Sequence, residues 1–204
     1  MTSHKTEDNS LNRLIDALRC LPGVGTKSAQ RMVYHLLQHH RQRGLHLANC
    51  LETAMQRLQH CQRCNNYTES TVCVYCRNTN RDVSTLCVVE TPADILAIEQ
   101  TNVYQGSYFV LMGKISPLDG LGPDEIHLPR LRELVISEQT RELIIALSPG
   151  IEGQTTIHFI RQLLADQPVS ITQLAEGIPS GGELEMLDSY TIGSALRNRA
   201  VLHD

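Results

Sequence analysis

Four cysteines within 16 residues carry the clearest chemical signal in the sequence. Cys61 pairs with Cys64 and Cys73 pairs with Cys76, with two residues inside each pair and eight residues between the pairs. Four thiolates can fill the shell of one tetrahedral Zn²⁺ ion and leave no position for water. The spacing therefore predicts one structural zinc per chain. A redox-active pair or free thiols are the alternatives.

A glycine-containing turn stands directly before a predicted helix. Gly23 and Gly25 allow the backbone to approach a phosphate, and the helix start offers free N–H groups and a positive dipole end. Lys27 and Arg31, four residues apart, lie on the same helix face. The turn predicts a contact with a nucleic-acid backbone that reads no base sequence. A plain helical turn with two exposed cations is the alternative.

The same turn does not fit an ATP-binding loop. The pattern Gly-x-x-x-x-Gly-Lys-Ser/Thr is absent, because Thr26 stands between Gly25 and Lys27. The sequence therefore disfavours an ATPase.

Three carboxylates follow predicted strands: Glu90, Asp94 and Glu152. Carboxylates at strand ends can hold Mg²⁺ for phosphoryl chemistry. They can equally cap a helix, as Glu90 could do for the helix that begins at Pro92. With no evident nucleophile beside them, they predict a weak magnesium or partner site rather than a catalytic centre.

Cys20, Cys50 and Cys87 lie on apolar faces of the predicted elements. Each is predicted to be a small core residue rather than a metal ligand.

The elements that position these residues follow from periodicity. Apolar residues at helical spacing predict helices over 9–19, with Ser10 as N-cap, over 26–44, closed by Gly44, and over 47–58. Beyond the cysteines, predicted strands at 86–90, 108–112, 142–147 and 169–173 alternate with helices at 92–100, 129–137 and 154–165. This alternation predicts a mainly parallel sheet, with function at the carboxyl ends of its strands. A last helix is predicted at 191–199.

Composition and charge narrow the class of protein. The chain has 204 residues, 41% of them hydrophobic. It has no apolar stretch long enough to span a bilayer and no targeting pattern at its start, so a cytoplasmic location is expected.

The net charge of −4 is unevenly distributed along the chain. Residues 1–80 hold ten basic and five acidic residues, a charge of +5, and residues 81–204 hold eight basic and 17 acidic residues, a charge of −9. The basic half could contact phosphates; an uneven solvated surface is the alternative.

The order of these parts resembles the RecR family of bacterial recombination mediators. The resemblance rests on residues 22–25 (Pro-Gly-Val-Gly), 27–31 (Lys-Ser-Ala-Gln-Arg), the four cysteines, 88–90 (Val-Val-Glu), Tyr108, 116–120 (Ser-Pro-Leu-Asp-Gly), 152–153 (Glu-Gly) and 181–185 (Gly-Gly-Glu-Leu-Glu). It implies a helix-hairpin-helix domain at 1–55, a four-cysteine zinc finger at 56–80, a Toprim α/β domain at 84–179 and a C-terminal strand and helix segment for assembly at 180–204. The expected fold is therefore multidomain, α followed by α/β.

The resemblance also implies a function. Family members are non-enzymatic clamps that form rings of two or four copies around DNA and act with RecO, and in some settings RecF, to load RecA onto gapped or single-stranded DNA. In this sequence Lys27 and Arg31, beside Gly23 and Gly25, match the family's DNA-contacting positions, and the four cysteines match its zinc ligands. A nucleoid-associated location in the cytoplasm follows.

Two departures concern the carboxylates. Catalytic Toprim enzymes use a Glu at the position of Glu90 and an Asp-x-Asp pair after a later strand, where this sequence reads Ser-Pro-Gly-Ile-Glu at 148–152. The family's usual Asn-Pro-Thr and second Glu are replaced by Ser148-Pro149-Gly150 and Gln154. A metal-dependent nuclease that uses Glu90, Asp94 and Glu152 is the enzymatic alternative, and a protein-interaction adaptor is the third hypothesis.

Overall fold

The first unit of the chain consists of three helices and ends at Leu58. In the computed structural model, which describes residues 9–175 and 184–197, α1 spans Ser10–Leu18, α2 spans Thr26–His39 and α3 spans Arg41–Arg57. α1 and α2 pack around a small core of Ile15, Ala29 and Val33. The turn between them is therefore held between two helices that contact each other.

The sequence prediction placed two helix caps at the wrong residue. The N-cap of α1 is Asn9 rather than Ser10, because the Asn9 side chain accepts a hydrogen bond from the Asn12 backbone N–H at 2.9 Å. Gly44 does not end α2. The break falls at His40, with φ −142° and ψ 42°, and Gly44 lies in the first turn of α3. A glycine inside a helix costs about 1 kcal/mol, which packing can offset.

The three cysteines outside the quartet divide by burial. Cys87 is buried, as predicted, but Cys20 and Cys50 are exposed, and for these two the prediction of core residues is wrong. Cys20 lies in the turn after α1, and Cys50 belongs to α3, which buries none of its residues. Apolar neighbours in the sequence did not imply a buried face.

The second unit begins at Gln59 with the cysteine cluster. Its first elements are the short antiparallel strands β1 (Gln59–His60) and β2 (Tyr67–Thr68), followed by the helical turn α4 (Val74–Arg77). The cluster is therefore a small module with little regular structure.

A four-stranded parallel sheet follows, with the order β4-β3-β5-β6. Its elements along the chain are β3 (Asp82–Val89), α5 (Pro92–Gln100), β4 (Gly106–Val110), α6 (Leu128–Ser137), β5 (Glu142–Ala146), α7 (Ile151–Leu163) and β6 (Ser170–Gln173). The predicted α/β class and parallel sheet are confirmed. β3 begins four residues earlier than its apolar run indicated.

Alternating residues of the strands lie on opposite faces of the sheet, and each face has its own hydrophobic core. Leu86, Val88 and Leu143 face a large core closed by α6 and α7. Cys87 and Val89 face a smaller core that includes Ile95 of α5 and Tyr75 of α4. The cysteine module is thus packed onto one face of the sheet.

The C-terminal part is described only over 184–197. It holds a 3₁₀ turn at Leu184–Met186 and the helix α8 at Ser189–Arg197. The remaining residues of the predicted segment 180–204 lie outside the described residues. Among the helices at 9–175 and 184–197, none is both long and apolar enough to cross a membrane.

Candidate metal centre and nucleic-acid interface

The four predicted zinc ligands come together. The Sγ atoms of Cys61, Cys64, Cys73 and Cys76 all lie within 4.8 Å of one another, and those of Cys64 and Cys73 are 3.4 Å apart. Four sulfurs about 2.3 Å from one tetrahedral ion would be separated by roughly 3.8 Å, so the observed cluster has the size that zinc requires. Within the described residues, this is the one group of three or more potential ligands close enough to share an ion.

Local backbone structure explains how each pair presents its thiols. The backbone N–H of Asn65 donates to the Cys61 carbonyl, and that of Arg77 donates to the Cys73 carbonyl, each at 3.0 Å. Both pairs are therefore closed into a tight turn that directs its two sulfurs to the same side. Asn65 has φ 65°, a left-handed conformation that asparagine tolerates better than most residues.

The thiol chemistry fits a divalent ion. Hydrogen bonds with Cys64 and Cys76 lower the pKa of the Cys73 thiol. Hydrogen bonding to Cys73 raises the pKa of Cys64, and hydrogen bonding to Cys64 raises that of Cys76. Cys64 and Cys76 therefore need a nearby cation to offset the charge that they gain on losing their protons.

Groups far away in the sequence hold the ligand loops against the sheet. The Asn65 side-chain amide donates to the Val110 carbonyl at 2.8 Å, and the Val110 N–H donates to the Cys64 carbonyl at 2.9 Å. Arg130 donates to Asn65 Oδ1 at 2.9 Å and to the Cys61 carbonyl at 3.2 Å. The sequence reasoning missed Asn65 and Arg130, since Asn65 contacts Val110 across 45 positions and Arg130 across 65.

The predicted phosphate contact lies at the start of α2. The Val24 N–H donates to the Leu21 carbonyl at 3.1 Å, and Gly23 has φ 76°, which places glycine where this turn needs a left-handed residue. Gly25 is the N-cap of α2, and no side chain caps the helix. The N–H groups of the first turn therefore have no side-chain cap, and a Cβ added at Gly25 would meet no atom within 4 Å.

Lys27 and Arg31 are both exposed on α2, and neither takes part in an ion pair within the described part of the chain. The helix contains no acidic residue. Its buried side chains, Ala29 and Val33, face α1 and leave the two cations toward solvent. The turn thus offers two unpaired positive charges and a positive helix end.

The three predicted carboxylates separate into two environments. Glu90 and Glu152 both approach Lys114, whose Nζ lies 3.3 Å from Glu90 Oε1 and 3.8 Å from Glu152 Oε2. Asp94 instead forms a capping box with Thr91, and its Oδ2 accepts hydrogen bonds from the Thr91 N–H at 2.7 Å and from Thr91 Oγ1 at 3.0 Å. The helix-capping role considered for Glu90 belongs to Asp94.

These groups meet at the carboxyl ends of three adjacent strands. Glu90 follows β3, Lys114 follows β4 and Ser148 follows β5. Gly153 makes this arrangement possible, because a Cβ there would lie 1.9 Å from the Ser148 carbonyl oxygen. Sequence reasoning identified the acids but missed Lys114, which no motif marks.

Comparisons with known proteins decide the family. Family models match residues 11–55 (RecR, helix-hairpin-helix), 58–78 (RecR, four-cysteine zinc finger domain), 84–175 (Toprim domain) and 177–200 (RecR, C-terminal). The Recombination protein RecR of Legionella pneumophila strain Corby is 70% identical over 195 residues, which cover 96% of this chain and 99% of that protein. The chain belongs to the RecR family.

A more distant RecR gives the same result. The Recombination protein RecR of Hydrogenovibrio crunogenus is 49% identical over 189 residues, which cover 93% of this chain and 96% of that protein. RecR membership together with the sulfur geometry makes the four cysteines a structural zinc site. The Toprim match covers the parallel sheet and the Lys114 cluster.

Proposed function

We propose that this member of the RecR family is a non-enzymatic, DNA-binding recombination mediator. It closes as a ring of two or four copies around DNA and acts with RecO, and with RecF, to promote RecA loading on gapped or single-stranded DNA. A protein with these partners works in the cytoplasm, at the nucleoid. The matched relatives are named recombination proteins, which supports a role in recombination.

The observation that carries the proposal is the start of α2. Two exposed cations without ion-pair partners among the described residues stand beside an uncapped helix N-terminus and two glycines. Phosphates are the ligands that match free backbone N–H groups and unpaired ammonium or guanidinium groups. Because no element of this kind reads base edges, binding is expected to be independent of DNA sequence.

The charge distribution supports a clamp. A ring that encloses DNA needs basic residues only on its inner wall, so a protein of net charge −4 can still bind. In this proposal the basic first 80 residues contribute to the inner wall. The acidic remainder faces a basic protein partner.

The test compares DNA binding by the intact, zinc-loaded protein with that of the Lys27→Ala/Arg31→Ala variant. Fluorescence anisotropy of a labelled gapped duplex is recorded with and without the RecO-type partner. Each lost phosphate contact weakens non-specific binding, so we expect at least a roughly tenfold loss of affinity at low salt. The oligomeric state, measured by light scattering, should not change because both residues are exposed.

The matched control is Arg141→Ala/Arg161→Ala, which removes the same charge from exposed positions of the Toprim unit. Its affinity should stay within about twofold of the intact protein, since surface changes away from the contact have small effects. An equal loss in both variants would mean that net charge, rather than the hairpin, governs binding. Unchanged binding by the Lys27/Arg31 variant would reduce the hairpin to a helical connector, and no DNA binding by any form would favour the adaptor hypothesis.

We also propose that the Toprim unit does not cleave DNA. The Lys114 ammonium stands between Glu90 and Glu152, where a catalytic metal would have to lie, and Asp94 is engaged in a helix cap. Supercoiled plasmid incubated with the protein and Mg²⁺ should remain intact. Nicking that disappears in Glu90→Ala would establish the nuclease alternative.

A further inference from the structure

One lysine occupies the centre of the carboxylate cluster at the carboxyl ends of the parallel strands. Lys114 Nζ donates a hydrogen bond to Ser148 Oγ at 3.0 Å and lies 3.3 Å from Glu90 Oε1. Ser148 Oγ in turn donates to the second oxygen of Glu90 at 3.2 Å. Glu152 completes the cluster, with Oε2 at 3.8 Å from the ammonium nitrogen.

The burial of these groups shows a built arrangement rather than a chance surface pair. The Lys114 and Glu90 side chains are only 22% and 25% exposed, while Glu152 is 48% exposed. Lys114 and Glu90 lie in the loops that follow β4 and β3, Ser148 lies in the loop that follows β5, and Glu152 lies in the first turn of α7. The ammonium therefore ties the three loops together at one point.

A divalent metal does not fit the residues as they stand. Mg²⁺ needs several oxygen ligands in near-octahedral geometry at about 2.0–2.1 Å. Both Glu90 oxygens are already engaged, by Lys114 and Ser148, and the Asp94 carboxylate is held in its capping box. A metal at this point would also meet the positive charge of Lys114 at close range.

We propose that the Lys114 ammonium is the resident cation of this Toprim site and excludes divalent metal from it. The carboxylates retain the negative charge that a metal would neutralise, but the chain supplies the counter-charge itself. Removing the lysine charge then uncovers a latent divalent-cation site formed by Glu90 and Glu152. This inference does not depend on DNA binding or on any partner.

The test uses the zinc-loaded protein and Mn²⁺ as the probe, because Mn²⁺ prefers oxygen ligands and is observed directly by electron paramagnetic resonance. Lys114→Met keeps an unbranched apolar stem and removes the charge. We expect this variant to bind one Mn²⁺ per chain at least about tenfold more tightly than the intact protein. Even in a solvated site, repulsion from a positive charge a few ångströms away weakens the affinity for a divalent ion by about that factor. Mg²⁺ should compete for the same site.

Two matched variants identify the site. Lys114→Arg retains a positive charge and should bind Mn²⁺ no better than the intact protein. Lys114→Met/Glu90→Gln removes a ligand and should lose the gain. Zinc content and far-ultraviolet circular dichroism report whether each variant is folded.

Three results would overturn the proposal. The first is Mn²⁺ binding by the intact protein that Glu90→Gln abolishes, because the lysine would then not exclude metal. The second is a folded Lys114→Met variant with no added Mn²⁺ binding, and the third is equal binding by Lys114→Met and Lys114→Arg. The comparison of the intact protein with Glu90→Gln tests the exclusion even if Lys114→Met fails to fold.

Discussion

The three cysteines outside the zinc site differ in chemical environment although all are thiols in one chain. Cys87 is 2% exposed and lies in the core on one face of the sheet. Burial raises its pKa to about 12, and the nearby Asp94 charge adds to the effect. Cys20 and Cys50 are exposed, with the Cys50 sulfur 3.5 Å from His46 Nε2.

These environments predict selective alkylation. With zinc bound and at pH 8, iodoacetamide should modify Cys20 and Cys50 and leave Cys87 unmodified, because the reactive thiolate is scarce at Cys87 and the reagent cannot reach it. Peptide mass spectrometry after a short reaction measures the modification. The same reaction in denaturant should modify Cys87 as well. Rapid modification of Cys87 in the native protein would show that this core opens readily.

Residues that act through local spacing were predictable, and residues that act across the fold were not. The four zinc ligands follow from separations of three positions within each cysteine pair. Lys114 reaches Ser148 across 34 positions, and Arg130 reaches Asn65 across 65. A lone Lys or Arg in a loop has no periodic signature, so only the folded sheet reveals what it contacts.

At the scale of elements, periodicity predicted the parallel sheet because apolar runs and helical faces alternate clearly after the cysteines. It failed between α2 and α3, where the two helices are separated by His40 alone. The apolar pattern continues past this residue. A glycine commonly follows the end of a helix, so the sequence predicted the end of α2 at Gly44, which lies in the first turn of α3. A break that depends on one residue's backbone angles leaves little trace in a sequence pattern.

The zinc finger is attached to the Toprim sheet through Arg81. Its guanidinium forms an ion pair with Glu99 of α5 and donates to the Gly106 carbonyl at 2.9 Å. It also lies 5.3 Å from the ring centre of Tyr75 in α4 and 5.4 Å from that of Tyr108 in β4. One side chain thus contacts the finger, the sheet and the helix that covers it.

Replacing this side chain should loosen the attachment. Arg81 is 9% exposed and Glu99 26% exposed, so Arg81→Met leaves a mostly buried carboxylate without its ion-pair partner, although the Tyr108 hydroxyl still donates to it. We expect a loss of about 2 kcal/mol in stability, discounted for the partial exposure of Glu99. Thermal unfolding of the zinc-loaded protein should show a midpoint lower by about 5 °C.

A double variant separates the buried charge from the lost packing. Arg81→Met/Glu99→Gln removes both charges and should recover more than half of the lost stability, since the main cost is the unpaired carboxylate. Arg161→Met, at an exposed position, controls for the loss of an arginine and should change the midpoint little. A double variant as unstable as the single one would assign the effect to the ring contacts with Tyr75 and Tyr108.

For the whole molecule, charge is distributed by region rather than averaged over the chain. Residues 1–80 carry +5 and residues 81–204 carry −9. These regional charges follow from the sequence alone. The structure adds that Lys27 and Arg31 have no ion-pair partner among the described residues, while Lys114 and Arg81 form ion pairs with carboxylates. An unpaired cation can contact a DNA phosphate without first losing a carboxylate partner. The summed charge of a region is therefore a poor measure of its DNA affinity.

The salt dependence of DNA binding measures this distinction directly. For non-specific binding, the logarithm of the affinity falls linearly with the logarithm of salt concentration, by about 0.9 per neutralised duplex phosphate and about 0.7 per single-strand phosphate. Removing Lys27 and Arg31 should therefore reduce the slope by about 1.8 on duplex or 1.4 on single-stranded DNA for each engaged chain. Anisotropy titrations over a range of salt concentrations give the slopes, and Arg141→Ala/Arg161→Ala should leave them unchanged. An affinity independent of salt in the intact protein would contradict phosphate contact altogether. An unchanged steep slope in the Lys27→Ala/Arg31→Ala variant would assign the phosphate contacts to other cations of the chain.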